Sequence, residues 1–425
     1  MNVAISTALI VLFALSVPIA VSIGLSSAIG IAFFGKIPLL LVPQRMFVGL
    51  DSFPLMAVPF FILAGNLMTM GGVSERLVEF AKSMIGGIRG GLASVCVLTC
   101  MLFAAVSGSS VATTFAIGAI LIPAMINRGY PVSLAASIQA SSAELGVIIP
   151  PSVPLILYGV STETSITQLF LAGFGPGLLI GGSLTVLVLV WCRIKGYGDE
   201  KPEDKGDFFV AFKRAWLALL MPVIIIGGIY GGIFTPTEAS AVAVFYGLVV
   251  GMFIYKNISY RDLPELLRKS VVSTTTVMLI IAAAALFSFL ISRSGLPNAI
   301  GEWASSTFDS KITLLLAINV LLFFVGMFVE TASAILVLAP ILTPIAVIFG
   351  IDAVHFGIII VVNLALGMFT PPLGVNLFAA CQVANITVEQ IIKPLIPPLL
   401  TVIACLMLIT YVPEISLFLR DLIMN

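Results

Sequence analysis

Long apolar runs separated by short polar interruptions dominate the chain. As helices, these runs are long enough to cross ~30 Å of hydrocarbon. The first run has no Lys or Arg ahead of its apolar core and no cleavage site in a polar flank, so we interpret it as a retained span rather than a signal peptide. The pattern predicts an all-α polytopic membrane protein. The clearest runs cover residues 3–34, 167–191, 216–233, 238–255, 270–291 and 394–412.

One pattern occurs twice, 221 positions apart. The first copy reads FAAVSGSSVATTFAIGAILIPAM (103–125) and then LGVIIPPS (145–152). The second copy reads FVGMFVETASAILVLAPILTPIA (324–346) and then LGMFTPPL (366–373). Paired, interrupted apolar segments at matching positions of two halves mark the binding site of many secondary transporters. The repeat therefore predicts a transporter with two related halves.

Each copy has small or polar residues in the middle of its first apolar segment. In the first copy, residues 107–110 (SGSS) combine a glycine that permits a tight reversal with hydroxyls that satisfy exposed amides. We therefore predict a re-entrant hairpin, with helix 91–106 entering, helix 111–126 leaving and a tip at mid-membrane. The second tip, residues 328–331, contains Glu330, and a carboxylate near membrane depth indicates a functional site.

Each copy then breaks a second helix at two consecutive prolines. In the first copy, Pro150 and Pro151 remove two amide donors and leave carbonyl oxygens free, and such oxygens suit a hard cation. Broken-helix carbonyls that bind Na⁺, with helix N-termini facing an anion, are a recurring transporter arrangement. The alternative is that these kinks only shape the bundle. Four interruptions at one fixed offset favour binding sites.

The same arrangement predicts where a solute carboxylate binds. If the two halves have opposite orientation, both tips reach the same depth, where tip hydroxyls and helix N-termini face an anion. Ser109 and Thr331 are the first choices for direct contact, with Ser110 beside them. Arg293 and Glu238, each at the end of an apolar span, are further candidates, with an interfacial position as their alternative role.

Charge clusters predict the orientation of the chain in the membrane. Residues 193–214 hold six Lys/Arg, which marks this segment as cytoplasmic. Counting spans from it places the bases of the two hairpins on opposite sides, so the halves are predicted to be inverted-topology repeats. Two amphipathic segments, 73–88 and 259–270, are predicted to lie as helices in the membrane interface, with solvated loops as the alternative.

Composition narrows the function classes. The chain is 60% hydrophobic and 9% charged, which leaves no soluble domain of any size, and its zero net charge gives no indication of a nucleic acid partner. The five scattered cysteines predict no disulfide framework, and the single histidine, His355, cannot build a zinc site or a Ser-His triad. The glycine-rich stretches lack the Lys-Ser/Thr of a phosphate-binding loop. An intramembrane enzyme is a rival class, but no His, Cys or acidic pair at catalytic spacing supports it.

Three segments carry a resemblance to a known family. The tip SGSSVATT with the following LGVIIPPS, the stretch GGIFTPTEASAVAVFYG (231–247) and the second LGMFTPPLGVN resemble the large membrane subunit of tripartite ATP-independent periplasmic (TRAP) transporters. The resemblance covers essentially the whole chain, and FTPTEA is a specific signature of that subunit. Within the family, the chain is similar to the sialic-acid members that have a separate large subunit.

The resemblance implies an elevator mechanism, in which a transport domain that holds both hairpins and both broken helices slides against a scaffold. The scaffold then comprises residues 1–88, with spans, an arm and an interfacial helix, and residues 216–308 of the second repeat. The transport domain comprises residues 89–166 and 309–390, each with one hairpin and one broken helix. The remaining segments are a connecting span (167–192), a cytoplasmic loop (193–215) and a C-terminal span (391–425).

The resemblance also implies two Na⁺ sites, made mostly from backbone oxygens. No organic cofactor is expected. Carried over to this sequence, the first site comprises Ser107, Ser109, Gly146, Ile149 and Pro151, and the second, through the repeat, comprises Phe328, Glu330, Thr331, Gly367, Thr370 and Pro372.

The family further requires two partners, a small membrane subunit and a periplasmic substrate-binding protein. The chain is therefore expected to act as the transport subunit of a Na⁺-coupled importer in a bacterial inner membrane. Its expected solute is a carboxylate, sialic acid or a related organic acid. A C4-dicarboxylate importer of the same family and a stand-alone Na⁺/anion symporter of related fold are the alternatives.

Overall fold

A computed structural model describes residues 2–34, 37–198, 201 and 205–424. Every regular element among these residues is a helix. Residues 199, 200 and 202–204, which belong to the segment expected to be a cytoplasmic loop, lie outside the described residues.

Among the described residues, eleven α-helices precede this segment. A short 3₁₀ turn, Phe53–Met56, leads into the fourth. The helices are α1 (Asn2–Ala14), α2 (Ile19–Phe34), α3 (Leu41–Leu50), α4 (Ala57–Met70), α5 (Val73–Ile85), α6 (Gly91–Ser107), α7 (Ser110–Asn127), α8 (Val132–Ala143), α9 (Leu145–Ile148), α10 (Val153–Thr162) and α11 (Ile166–Lys195).

Ten more α-helices follow in the second part. A π-helical turn, Val249–Ile254, continues the second of them. The helices are α12 (Phe208–Tyr230), α13 (Pro236–Leu248), α14 (Leu263–Arg293), α15 (Leu296–Thr307), α16 (Lys311–Phe328), α17 (Thr331–Ile348), α18 (Ala353–Met368), α19 (Val375–Ala384), α20 (Val388–Tyr411) and α21 (Glu414–Met424).

Nine helices in the described part of the chain are long and apolar enough to cross a membrane. A tenth span results if the bent pair formed by Val132–Ile148 and Val153–Thr162 is counted as one. These spans confirm the prediction of an all-α polytopic membrane protein.

The two repeats have the same helix order and nearly the same boundaries. Helix α7 begins at Ser110 and α17 begins at Thr331, and both ends of α17 lie 221 positions after those of α7. Each repeat forms a hairpin, α6–α7 or α16–α17, followed by a broken helix. The predicted hairpins and breaks are therefore confirmed.

The repeats have opposite orientation across the bundle. Between the two hairpins, the described chain crosses through the bent helix α8–α10 and then through α11, α12, α13 with its π-turn, and α14. Helix α15 has only 12 residues and is too short to add a crossing. Five crossings place the base of hairpin α16–α17 on the side opposite to the base of α6–α7, which is the inverted topology predicted from the charges.

The first apolar run was predicted to be one span, but it forms two helices. Helices α1 and α2 form an antiparallel pair, since the side chain of Ile5 lies directly against Gly30. The chain turns back between them at residues 15–18, where Ser16 has a positive φ of 59° and Pro18 follows. Proline disfavours the helical conformation in the residue before it, which ends α1 and separates the run into two short helices.

The two predicted interfacial helices have different outcomes. The first segment forms helix α5, which buries Leu77 and Ala81 and exposes Glu75 and Glu79, while its position in the membrane interface stays a prediction. The second prediction, a separate helix over 259–270, is wrong. From Leu263 this segment is the first part of α14, which continues through 31 residues because neither Gly nor Pro interrupts it after Pro264.

The broken helices lie at the centre of the bundle. All residues of α18 from Val354 to Met368 are buried, and α8 is buried from Leu134 to Ala143. Helices α16 and α17 pack against α18, and α6 and α7 pack against α8. On another side, α2 and α3 pack against α14, and α4 packs against α13 and α14.

The polar linker is shorter than the predicted 193–215, because α11 extends to Lys195 and α12 begins at Phe208.

Candidate functional site

The first hairpin turns where the sequence predicts it. Helix α6 ends at Ser107, and the next residue, Gly108, has a positive φ of 62°. Ser109 caps the N-terminus of α7 by accepting a hydrogen bond from the amide of Ala112 (3.4 Å). This tip touches the first helix break. The amide of Val153 donates to the carbonyl of Gly108 (3.4 Å), and a Cβ on Gly108 would lie 2.8 Å from the carbonyl oxygen of Pro151.

Oxygen atoms cluster between the first tip and the first break. The hydroxyl of Thr113 donates to the carbonyl of Ser109 (2.7 Å) and lies 3.1 Å from the hydroxyl of Ser107. A Cβ on Gly146 would lie 2.8 Å from both the Ser109 carbonyl oxygen and Thr113 Oγ1, so only glycine permits this approach. We call Ser107, Ser109, Thr113 and Gly146 the first oxygen cluster.

The first break is a short non-helical segment. The chain bends by 42° between Ile148 and Val153, and the Pro150–Pro151 peptide bond is cis. Ile149 directly follows α9, has extended backbone and is 6% exposed. The hydroxyl of Ser152 donates to the carbonyl of Val147 and accepts from the amide of Leu155. Ile149 and Pro151, both predicted from the family resemblance, thus lie in this non-helical segment, next to the first oxygen cluster.

The second tip has a carboxylate where the first has a hydroxyl. Glu330 precedes α17 and accepts hydrogen bonds from the amide of Ser333 (3.2 Å) and from its hydroxyl (3.5 Å). A carboxylate here also interacts favourably with the helix dipole. Thr331 begins α17 and is fully buried, whereas the Phe328 side chain is 58% exposed. Because the Phe328 side chain carries no oxygen, only its backbone carbonyl is a candidate oxygen donor.

The second break approaches its hairpin even more closely than the first. A Cβ on Gly367 would lie 2.6 Å from the carbonyl oxygen of Gly326, so two backbones meet there without side chains between them. The hydroxyl of Thr370 donates to the carbonyl of Leu366 (2.7 Å), and the Pro371–Pro372 bond is cis. Sequence reasoning missed Gly326, although the matching position 105 also holds a small residue, alanine.

The two tips meet, as the inverted repeat predicts. Met368, the last residue of α18, accepts hydrogen bonds at its sulfur from the hydroxyls of Thr331 (2.8 Å) and Ser110 (3.8 Å). Both tips line one cavity of about 210 Å³. Its lining includes residues 107–112 of the first tip and Glu330 and Ala332 of the second.

Helices α4 and α14 form the opposite wall of this cavity. Gly65 packs against the backbone of Ser107, with 3.3 Å between the position of a Cβ and the Ser107 carbonyl oxygen. Asn66 lines the cavity and donates to the hydroxyl of Ser270 (2.8 Å), and Ser273 also lines it. Sequence reasoning missed Asn66 and Thr113; an amide inside the apolar run of α4 and a second hydroxyl pair after the tip were the available signals.

Two predicted residues lie away from the tips. Glu238 is exposed and forms a capping box with Thr235, whose amide donates to its carboxylate (2.8 Å). Arg293 is the exposed last residue of α14. Neither lines the cavity, so the structure does not bring these two substrate candidates to the site.

The chemistry of the site is dominated by neutral oxygen atoms. None of the described residues that line the cavity is Lys or Arg, and Glu330 is the one acidic residue among them. No group of three or more His, Cys, Asp or Glu side chains comes together within the described ranges. The available ligands are therefore hydroxyl and carbonyl oxygens and the carboxylate of Glu330, which suit hard cations better than transition metals.

Inverted repeats, paired re-entrant hairpins and a cavity between their tips define a permease of the secondary-transporter class. Residues 7–415 match the model of the family described as tripartite ATP-independent periplasmic transporter, DctM component. The chain belongs to this family. The resemblance found in the sequence is thereby confirmed, and the family is one of transporters rather than enzymes.

Relatives with different named solutes are similar to the chain over most of its length. The C4-dicarboxylate TRAP transporter large permease protein DctM of Rhodobacter capsulatus is 41% identical over 98% of both chains. The sialic acid TRAP transporter large permease protein SiaM of Vibrio cholerae is 38% identical over 90% of both. The isethionate TRAP transporter permease protein DctMQ of Oleidesulfovibrio alaskensis is 43% identical over 95% of this chain, which spans 64% of that longer protein.

A solved structure has the same fold. The YdaH transporter of Alcanivorax borkumensis aligns with a TM-score of 0.64 over 90% of this chain and 89% of its own. The two sequences are only 15% identical, so the likeness concerns the fold alone.

Proposed function

We propose that this chain is the transport subunit of a Na⁺-coupled importer that carries a carboxylate solute across a bacterial inner membrane. The observation that supports this most is the convergence of two tips and two helix breaks on a single cavity. Broken helices in transporters are tolerated where their backbone lines a cavity, and their free oxygens and helix ends then bind ions and solute.

The charge of the cavity favours cation coupling. An anionic solute would find no Lys or Arg among the described lining residues and would find the carboxylate of Glu330. The N-termini of α7 and α17 supply partial positive charge, and Na⁺ bound nearby would supply the rest. A solute carboxylate would then lie between Ser109, Ser110 and Thr331, at the two helix starts.

Each proposed Na⁺ site joins one tip to one break. At the first, the oxygens of the first oxygen cluster and the carbonyls of Ile149 and Pro151 are the ligands we propose. The second site is more open, because Pro372 is exposed whereas Pro151 is buried. Its proposed ligands are backbone or side-chain oxygens of Phe328, Glu330, Thr331, Gly367, Thr370 and Pro372.

The walls of the cavity suggest how the solute moves. The tips and breaks belong to both hairpin repeats, whereas the opposite wall belongs to α4 and α14. In the elevator mechanism that we propose, the hairpins and broken helices slide as one body along that wall. Small residues such as Gly65 keep the sliding surface smooth at the point of contact with Ser107.

The proposed assembly includes two partners. The family description names a tripartite periplasmic system, and one relative carries the combined name DctMQ. We propose that a small membrane subunit packs on the lipid-facing scaffold and that a periplasmic binding protein delivers the solute. The solute itself belongs to the organic anions named for the relatives, with sialic acid or a related organic acid as the first candidate and C4-dicarboxylates as the alternative.

Uptake by proteoliposomes tests the proposal. The chain would be reconstituted with the small subunit and the binding protein encoded beside it, and labelled sialic acid, succinate and isethionate would be offered under a Na⁺ or a K⁺ gradient. We expect uptake of one carboxylate with Na⁺ only. If two or more Na⁺ accompany a monoanion, each net positive charge gains ~2.3 kcal/mol per 100 mV of inside-negative potential, and uptake should accelerate under that potential.

Two outcomes would contradict parts of the proposal. Equal uptake when K⁺ replaces Na⁺ would contradict the proposed coupling of transport to Na⁺. Full uptake without the binding protein would instead favour a stand-alone Na⁺/anion symporter.

A further inference from the structure

A buried polar pair joins the two broken helices outside the cavity. Glu144 lies between α8 and α9 and is 1% exposed, and Asn376 lies in the first turn of α19 and is fully buried. Asn376 Nδ2 donates a hydrogen bond to Glu144 Oε1. The second oxygens of the pair, Glu144 Oε2 and Asn376 Oδ1, have no hydrogen-bond partner among the described residues.

This pair connects the two proposed ion sites through the backbone. Helix α9 consists of the four residues Leu145–Ile148, so a bond at Glu144 holds the segment that contains Gly146 of the first oxygen cluster. Asn376 follows Gly374, whose backbone lies against the carbonyl of Met368 at the second break. One hydrogen bond therefore links the start of α9, which leads into the first break, to the start of α19, which follows the second break, 232 positions away.

The pair is present only once, although the fold is repeated. At the offset of 221 positions, Ala365 corresponds to Glu144 and Leu155 corresponds to Asn376. Both of these residues are fully buried. The same architecture is thus built with apolar side chains in the other repeat, where no polar group needs to be desolvated. Because a buried carboxyl group costs more than an apolar side chain, the fold by itself does not explain the pair.

We propose that Glu144 and Asn376 are a positioning pair that couples the two Na⁺ sites. Na⁺ at the first oxygen cluster orders the segment after Glu144, and the hydrogen bond transmits that order to α19 and the second break. The second Na⁺ then binds to a segment that is already ordered, which gives positive cooperativity. This inference rests on the proposed function, since it requires two Na⁺ sites.

The test measures equilibrium binding of ²²Na⁺ to the full chain in complex with its small subunit, with K⁺ as the competing control. The central variant is Glu144→Ala/Asn376→Leu, which installs the residue pair of the other repeat. We expect it to fold with an unchanged or higher Tm. Its Hill coefficient should fall from above 1 to about 1, and its half-saturating Na⁺ concentration should rise at least about fivefold, the lower end of typical coupling factors.

Conservative and control variants separate coupling from stability. Glu144→Gln retains the Oε1 acceptor and adds a donor for Asn376 Oδ1, so cooperativity should be preserved. Glu144→Gln/Asn376→Leu then removes the hydrogen bond from the Glu144→Gln protein. If the central variant does not fold, cooperativity is compared between these two variants instead. The matched control is Asn319→Leu/Asn363→Leu, which removes a buried pair bonded at 2.7 Å between α16 and α18 within one repeat. It should leave the Hill coefficient unchanged and lower Tm, because the buried Thr410 hydroxyl loses the hydrogen bond that Asn319 Nδ2 donates to it (3.2 Å).

The outcomes distinguish this inference from the proposed function. Wild-type protein that binds no Na⁺ would overturn both. Cooperative Na⁺ binding that is retained in Glu144→Ala/Asn376→Leu would overturn the positioning pair alone. Loss of cooperativity in Glu144→Gln would also overturn it, because the carboxyl charge rather than the hydrogen bond would then be responsible.

Discussion

The two tip regions share one backbone plan but differ in the groups that complete them. At the first, the Ser109 hydroxyl caps α7, and the hydroxyls of Ser107 and Thr113 form a buried oxygen cluster against the first break. At the second, a carboxylate, Glu330, caps α17, and the break meets the hairpin through two glycines. The repeat thus supplies the same backbone geometry twice, and different chemical groups complete it at the two tips.

The two broken helices also begin differently. Helix α18 begins at Asp352, whose carboxylate accepts from the amides of Val354 (2.8 Å) and His355 (3.1 Å) and pairs with Arg420 of α21 (2.7 Å). The corresponding residue in the first repeat is Pro131, which has no side-chain cap. The second half is therefore anchored by charge at a point where the first half has none.

The largest effects are expected from adding one methyl group at either break. In Gly146→Ala the Cβ meets Thr113 Oγ1 and the Ser109 carbonyl, and in Gly367→Ala it meets the backbone of Gly326. Overpacking of this kind costs about 1–3 kcal/mol, so Na⁺-driven uptake should fall at least about fivefold in both. Tm should fall more in Gly367→Ala, because its three nearest neighbours are all backbone atoms of Gly326 within 2.6 Å, whereas one neighbour of the Gly146 Cβ is a side-chain hydroxyl.

The control for this pair is Gly182→Ala, since a Cβ at Gly182 has no neighbour within 4 Å. Uptake assays and thermal unfolding of all three variants make the comparison. Normal uptake by a well-expressed Gly146→Ala variant would count against the first ion site.

The next effect concerns the hydroxyl of Thr113, which has no counterpart in the second repeat because the corresponding residue is Ala334. Thr113→Val keeps the side-chain shape and removes the bond to the Ser109 carbonyl. Loss of a buried oxygen donor near a cation costs about 1.5–3 kcal/mol, so the half-saturating Na⁺ concentration for uptake should rise about tenfold or more. Thr114→Val is the matched control, because Thr114 bonds only to the Ser110 carbonyl of its own helix (3.0 Å). Equal shifts in both variants would show that Thr113 has no special role.

A smaller effect is expected at the carboxylate of the second tip. Glu330→Gln retains an oxygen acceptor for the amide of Ser333 but removes the negative charge. If the charge binds Na⁺, the half-saturating Na⁺ concentration should rise about fivefold, which corresponds to about 1 kcal/mol. Thermal unfolding should change little. Unchanged Na⁺ dependence in Glu330→Gln would identify Glu330 as a helix cap alone.

The smallest effect concerns the charged anchor of α18 and depends on pH. Burial opposes ionisation of Asp352, but the hydrogen bonds from Arg420 and from the amides of His355 and Val354 outweigh it and lower the pKa of Asp352 below its ordinary value of about 3.9. The ionised carboxylate therefore stabilises the fold above pH ~4, and this contribution is lost as pH falls through the lowered pKa.

Arg420→Met should remove most of this contribution at neutral pH and lower Tm by about 1–2 °C, since a partly exposed ion pair is worth about 0–1 kcal/mol. The difference in Tm between wild type and variant should shrink below pH 4. A difference that stays constant from pH 7 to pH 3 would exclude ionisation of Asp352 as its cause.

Much of the site was accessible from the sequence because it depends on local chemistry. The SGSS tip needs a glycine for reversal and hydroxyls for exposed amides, and Pro-Pro pairs cannot continue a helix. These rules depend on only a few neighbouring residues. The repeat at a fixed offset showed that each half contains one hairpin tip and one helix break. The convergence of the tips followed from counting crossings, which depends on span length and charge rather than on packing.

Other features depended on which surfaces meet. A sequence cannot show that α1 folds back on α2, because an apolar run of 3–34 satisfies the membrane equally well as one tilted helix or as two short ones. Likewise, the sequence of the polar segment 259–270 is compatible with a separate interfacial helix. Only the structure shows that this segment continues into α14 from Leu263.

By itself, then, the sequence determined the helical class, the inverted repeat, the four interruptions and the family, since each is recorded in residue type and spacing. Tertiary structure alone decided that Thr113 completes the first oxygen cluster, that Gly326 lies against Gly367, and that Glu144 bonds to Asn376 across 232 positions. The physical reason is that such contacts form between segments distant in sequence. Their partners are chosen by the close packing of helices, which no local pattern encodes.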